Sequence, residues 1–163
     1  MQVKYTFKSK IIWYDKLIRN LVVYENYRME RNMQLSKFSD YAFRALIYMG
    51  KNCERLCTVE ELALQVNTSA NHMKKVIHHL STMGFVASSK GRGGGLKLAR
   101  LPEEINLGEV LEATEENRNL YACYNSNDCP LLMEGCLLKK ISRNALNLFV
   151  SEYRKYTLKD LLK

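Results

Sequence analysis

Four of the six residues in Lys90-Gly91-Arg92-Gly93-Gly94-Gly95 are glycine, a density that no helix tolerates. Apolar and polar residues alternate on both sides, over Phe85–Ser89 before the run and Leu96-Lys97-Leu98 after it. The stretch predicts a β-hairpin whose glycine-rich tip carries two cations, Lys90 and Arg92. A nucleotide-binding loop is a poor reading. The glycines lie between two strands, not between strand and helix, and the closing Gly-Lys-Ser/Thr is missing.

The flanking chain reads as helix. Ser36 or Ser39 supplies a cap, and Phe38, Tyr41, Ala42, Ala45, Leu46 and Met49 fall on one face, with Gly50 as the expected stop. Thr58 followed by Glu61 is a capping box that opens a short helix to about Gln65. After the turn Val66-Asn67-Thr68, a helix from Ser69 or Ala70 to Met83 turns Met73, Val76, Ile77 and Leu80 inward, and Gly84 stops it. Beyond the hairpin, Pro102 breaks the chain and Leu107–Ala113 forms a short helix. An irregular stretch, Asn117–Gly135, precedes a long helix from about Cys136 to Tyr156. Its Leu138, Ile141, Ala145 and Leu148 repeat near heptad spacing, with Leu137 and Phe149 beside them. That stripe fits either a partner helix in a homodimer or packing on the parent domain. Thr157–Leu162 reads as a terminal helical turn.

The expected fold is therefore mainly α with a small β-hairpin wing: a winged helix-turn-helix plus a long C-terminal dimerisation helix. The expected segments are an N-terminal extension over 1–32, a DNA-binding domain over 33–101, a connecting helix and cysteine loop over 102–136, and a dimerisation helix and tail over 137–163. Residues 1–32 carry seven Lys/Arg against three Asp/Glu and no motif. They read as a start called upstream of Met33, or as a basic arm touching DNA phosphates.

Within 163 residues the formal net charge is +8, which favours an anionic partner such as nucleic acid. In a winged helix-turn-helix the second helix of the pair enters the major groove. Its first turn here offers Ser69, Asn71, His72, Lys74 and Lys75 to base edges and phosphates of a double-stranded operator. No acidic residue lies between Asn67 and Ser89. Lys90 and Arg92 on the wing suit a narrow minor groove. His72, His78 and His79 share this helix and read as surface or DNA-contact residues, not ligands. No apolar run approaches the ~18 residues that span a bilayer, and no membrane association is expected. A cytoplasmic protein is expected, with its five cysteines as reduced thiols or metal ligands.

Cys123, Cys129 and Cys136 place three thiols within 14 residues of a polar loop. Such a set suits zinc or an iron–sulfur cluster. The Cys-x2-Cys pairs of a zinc ribbon are missing, and the longer gaps suit a bulkier cluster, 4Fe-4S ahead of 2Fe-2S. Cys53 and Cys57 read as incidental thiols, with a redox pair or ligation as the alternative. No paired nucleophile and base, helical His-Glu-x-x-His or complete cofactor fingerprint is present, so an enzyme is not expected.

From Met33 onward the chain resembles the winged-helix iron–sulfur transcription regulators of the Rrf-two type. The resemblance rests on Met33-Gln-Leu-Ser-Lys-Phe-Ser-Asp40-Tyr-Ala-Phe-Arg44-Ala-Leu-Ile-Tyr, on Asn71-His72-Met73-x-Lys75-Val-Ile, and on Lys90-Gly-x-Gly-Gly-Gly-Leu-x-Leu. It rests also on the three cysteines and the closing Tyr156-Thr-Leu-x-Asp-Leu. The second cysteine gap, six residues, is one wider than in many of those regulators. Phe38-Ser39-Asp40-Tyr41 points to the nitric-oxide-sensing repressors of the family. That resemblance implies that Asp40 of the partner subunit joins Cys123, Cys129 and Cys136 on the cluster, with Arg44 holding the aspartate. It also implies that nitric oxide frees Asp40, shifts the recognition helices and releases the operator. The alternatives are a regulator of iron–sulfur or redox status, a clusterless thiol switch, and a zinc-stabilised repressor.

Overall fold

The computed structural model describes residues 34–91, 93–115 and 136–163. Arg92, Cys123 and Cys129 therefore lie outside the described residues, as do the N-terminal extension and the stretch 116–135. Leu35–Lys163 form one compact unit.

The first described helix, α1 (Lys37–Lys51), starts where the Ser36 side chain accepts the Ser39 amide. It buries Ala42, Ala45, Leu46 and Met49. Gly50 does not end it. That glycine is buried inside the helix against Leu162, where a Cβ would come within 2.9 Å of Leu162 Cδ1. The helix runs one residue further, to Lys51, and is capped by Asn52, whose side chain donates back to the Tyr48 carbonyl at 2.8 Å.

Helix α2 (Val59–Val66) opens with the full Thr58/Glu61 capping box and closes on Asn67 in the left-handed conformation at φ 58°. Ser69 caps α3 (Ala70–Thr82) by accepting the His72 amide. Met73, Val76, Ile77 and Leu80 of α3 are buried, as the helical period requires. They join the α1 face and Leu62, Ala63 and Val66 of α2 in one core. Each buried Val, Leu, Ile or Met side chain in it contributes about 1.5–3 kcal/mol.

The wing follows as antiparallel strands β1 (Val86–Ser89) and β2 (Gly95–Leu98), with Val86 opposite Leu98 and Ser89 opposite Gly95. At the tip, Gly91 and Gly93 have positive φ, and a Cβ on Gly94 would lie 2.2 Å from the Ser89 carbonyl oxygen. Only glycine fits that crossing. The wing is not left as a free two-stranded ribbon. Cys57 N–H donates to Leu96 O at 2.9 Å and Leu96 N–H to Cys57 O at 2.8 Å, so the α1–α2 loop docks on β2. Arg100 then lies over the Phe85 ring, 4.7 Å from its centroid, and pairs with Glu109 at 3.4 Å.

A 3-10 turn at Pro102–Glu104 leads to α4 (Leu107–Thr114), capped by Asn106. Ile105, Leu107 and Val110 extend the same core. The long helix α5 runs over Leu137–Tyr153, three residues short of the expected Tyr156, because the chain turns to pair with the start of α4. Leu107 N–H donates to Tyr156 O and Leu158 N–H to Ile105 O, at 3.0 and 2.8 Å. A 3-10 turn at Leu158–Leu161 then buries Leu158. Among the described residues no helix is long and apolar enough to cross a membrane.

Two predictions come from this packing. A Cβ on Gly108 would lie 2.2 Å from Arg154 Cγ and 3.1 Å from the Arg154 backbone, so α4 and α5 must separate to admit it. Gly108→Ala should lower stability by about 1–3 kcal/mol in urea unfolding. The second concerns the loop after α1. Hydrogen bonds from Arg55, then from Tyr48, hold the Glu61 carboxyl at about 2 instead of its usual 4.5. A depressed carboxylate stabilises the fold above its unfolded value and loses that effect as pH falls through about 2. Glu61→Gln should therefore lower stability at neutral pH and flatten the acid loss between pH 4.5 and 2, read by chemical denaturation at each pH.

Candidate nucleic-acid interface and cluster site

Burial of the inner face of α3 leaves the opposite face in solvent. Asn71, Lys74, Lys75 and His78 are all exposed there. Their spacing of three, four and seven residues puts them on one stripe. None makes a side-chain hydrogen bond or ion pair with the described residues, so their donors are free for a ligand. The first turn of α3 contains no acidic residue, and its positive dipole end is unopposed.

Ser69 and His72 stand differently. Ser69 Oγ accepts the His72 amide and lies 3.1 Å from His72 Nδ1, so both are engaged in capping α3. His78, read from the sequence only as a surface or DNA-contact residue, closes the C-terminal end of the stripe. The signal for it was helical spacing from Asn71. His79 is not a surface residue as expected. It is half-buried, with Nε2 2.7 Å from the Ala113 carbonyl and its ring edge-on to Phe38. On the wing Lys90 is exposed, while the Arg92 side chain lies outside the described residues.

The cluster residues fall in two places. Cys136, half-buried, is the N-cap of α5, and its Sγ accepts the Lys139 amide at 3.4 Å. A backbone N–H aimed at sulfur is a common partner of a thiolate ligand. Asp40 lies in the first turn of α1, where Arg44 Nε meets its Oδ1 at 2.9 Å. Oδ2 of Asp40 has no partner among the described residues. The structure thus brings Arg44 to Asp40. Among the described residues no three His, Cys, Asp or Glu gather as a metal site. Cys57 is buried in the core, and burial pushes its thiol up from its ordinary range. Cys53 is exposed beside Glu54.

The outward face of α5 is apolar. Leu137, Leu138, Ile141 and Leu148 are 67, 45, 56 and 71% exposed, and Ala145 between them is exposed too. Ser142 and Val150 face inward instead. Such a heptad-spaced stripe in water is an interaction face.

A family model described as Rrf2, iron-dependent transcriptional regulator, matches residues 35–163. A protein named HTH-type transcriptional regulator NsrR from Halalkalibacterium halodurans is 41% identical over 133 residues, covering 80% of this chain and 90% of the relative. The protein of the same name from Bacillus subtilis is 36% identical, covering 80 and 91%. Among solved structures, IscR of T. potens aligns with TM-score 0.64 at 20% identity, covering 80% of this chain and 87% of that one. CymR, the global cysteine regulator of B. subtilis, aligns with TM-score 0.58 at 22% identity, covering 80 and 97%. These structures share the winged-helix fold.

Proposed function

The chain belongs to the Rrf2 family of transcriptional regulators, and from that premise we propose that it is a dimeric, DNA-binding repressor that senses nitric oxide through an iron–sulfur cluster. As a member of that family it is a transcription regulator and not an enzyme. The observation that carries the DNA-binding part is the free polar stripe of α3. Asn71 is suited to adenine, Lys74 and Lys75 to guanine or phosphate, and Ser69 and His72 shape the turn that presents them. Lys90 and Arg92 on the wing meet the adjoining minor groove. Working on DNA, the protein acts in the cytoplasm.

The exposed apolar stripe of α5 supports a homodimer. Two copies packed along Leu138, Ile141, Ala145 and Leu148 present two recognition helices to a near-palindromic operator. Cys123, Cys129 and Cys136 hold the cluster, with Asp40 of the partner subunit as the fourth ligand. The described part of this set fits. Cys136 has an amide on its sulfur, and Asp40 keeps one oxygen free while Arg44 orients the other. When bound, a cluster of this kind supplies an iron held by a hard oxygen among soft thiolates, a labile position for a small diatomic molecule. The resemblance of Phe38-Ser39-Asp40-Tyr41 to the nitric-oxide-sensing repressors of the family supports nitric oxide as the signal.

Protein purified without oxygen should be brown, with visible absorbance that nitric oxide bleaches or shifts. Colourless protein holding one zinc per chain would end the cluster reading, and colourless metal-free protein would favour a thiol switch. Cys129→Ala should abolish that absorbance while circular dichroism and sedimentation stay those of the parent dimer. A variant keeping full iron content would remove Cys129 from the ligand set. Asn71→Ala and Lys75→Ala should each weaken operator binding by about 1–3 kcal/mol in titrations at fixed salt. Unchanged affinity in both would mean that another element reads the DNA.

A further inference from the structure

Three parts of the molecule meet at the C-terminal end of α4. The Ala113 carbonyl sits in the last turn of that helix, where no amide of its own helix remains to bond it. His79, reaching from α3, fills the gap with Nε2 at 2.7 Å. A carbonyl only accepts, so this nitrogen carries the proton and the imidazole is the donor. Its positive edge also faces the negative end of the helix dipole. Phe38 of α1 meets the imidazole edge-on, with ring centroids 5.4 Å apart and planes at 81°. One residue past α4, Glu115 Oε1 accepts the Ser36 amide at 2.6 Å, at the N-cap of α1.

Each arm of this junction leads to a functional segment. Ser36 caps the first turn of α1, which carries both Phe38 and Asp40. Glu115 is followed directly by the stretch that bears Cys123 and Cys129. His79 lies on the helix that carries Asn71, Lys74 and Lys75, one turn beyond Lys75 at the inner edge of their stripe, where it is half-buried against Phe38. The end of α4 is thus joined to the start of α1 by the Ser36–Glu115 hydrogen bond and to α3 by the His79–Ala113 hydrogen bond.

We propose that the α4 terminus is the coupling clamp between sensing and DNA reading, with His79 as its positioning residue and Glu115 as its second arm. The proposal rests on the regulatory reading above and names the bonds through which that regulation runs. His79 is neither a proposed ligand nor one of the exposed residues of the DNA-facing stripe. It sets where the stripe stands for a given state of the cysteine segment.

The test uses full-length dimer with its cluster loaded, and a duplex that the loaded wild-type protein enriches from a random-sequence pool. Affinity is measured before and after nitric oxide treatment for wild type, His79→Leu, His79→Gln and Glu115→Ala. His79→Leu and Glu115→Ala should keep the visible spectrum and the dimer, while the ratio of the two affinities shrinks about tenfold. His79→Gln, which still offers a donor to the Ala113 carbonyl, should restore most of the ratio. Amide hydrogen exchange over 70–82 gives a second readout. It should respond to nitric oxide in wild type and in His79→Gln, and not in His79→Leu.

A responsive wild type with an equally responsive His79→Leu would overturn the clamp and leave the regulatory reading intact. So would a His79→Gln as uncoupled as the leucine variant. A wild type whose operator affinity ignores nitric oxide would overturn the regulatory reading itself, and the clamp with it. If His79→Leu does not fold, Glu115→Ala and His79→Gln carry the same comparison.

Discussion

Burial of Met73, Val76, Ile77 and Leu80 against α1 and α2 is the constraint on which everything else depends. It leaves α3 no freedom to rotate about its axis, because a turn of one residue would put apolar side chains in water and Lys74 or Lys75 in the core. Ala42 and Ala45 on α1 are small enough to let the helices come close, so the seam is tight as well as apolar. The polar face of α3 is thereby aimed, not merely exposed. The wing gains its own orientation from the Cys57–Leu96 bridge and from Arg100 over Phe85, since a lone two-stranded hairpin is marginal in water.

Most of this fold was legible in the residue pattern, and for physical reasons. Helix periodicity picked out the buried faces of α1 and α3, because burial and period are the same fact seen twice. The caps at Ser36, Thr58 and Ser69 were legible because a side-chain oxygen bonding an amide three residues on is local chemistry. The glycine run announced the hairpin tip, and three of its positions do require glycine. Gly50 misled for an instructive reason. A glycine after an apolar stripe resembles a helix stop, yet here it makes room for Leu162, a partner more than a hundred residues away.

What the sequence hid was tertiary. Nothing in the spacing of His79 distinguishes it from His78, though one bonds the Ala113 carbonyl and the other stands in the solvent stripe. The same holds for Ser36 and Glu115, and for the pairing of Tyr156 and Leu158 with the start of α4. Backbone carbonyls and amides carry no signature in a one-letter code, so bonds to them across long loops appear only once the chain is folded. The pairing of Asp40 with Arg44 lies at the other extreme, since one helical turn brings them together by construction.

The strand-like pairing of Asn106 with Thr157 has a mechanical side. It fastens the beginning of α4 to the C-terminal tail, while Arg154 grips Glu112 further along. With eight residues, α4 is about 12 Å long, too short to bend. A stiff rod fastened near both ends responds to a push only by tilting. In the proposed dimer, movement of α5 against its neighbour copy and movement of α3 would then be opposite ends of one lever, and a displacement too small to break any contact at one end would still re-aim the other.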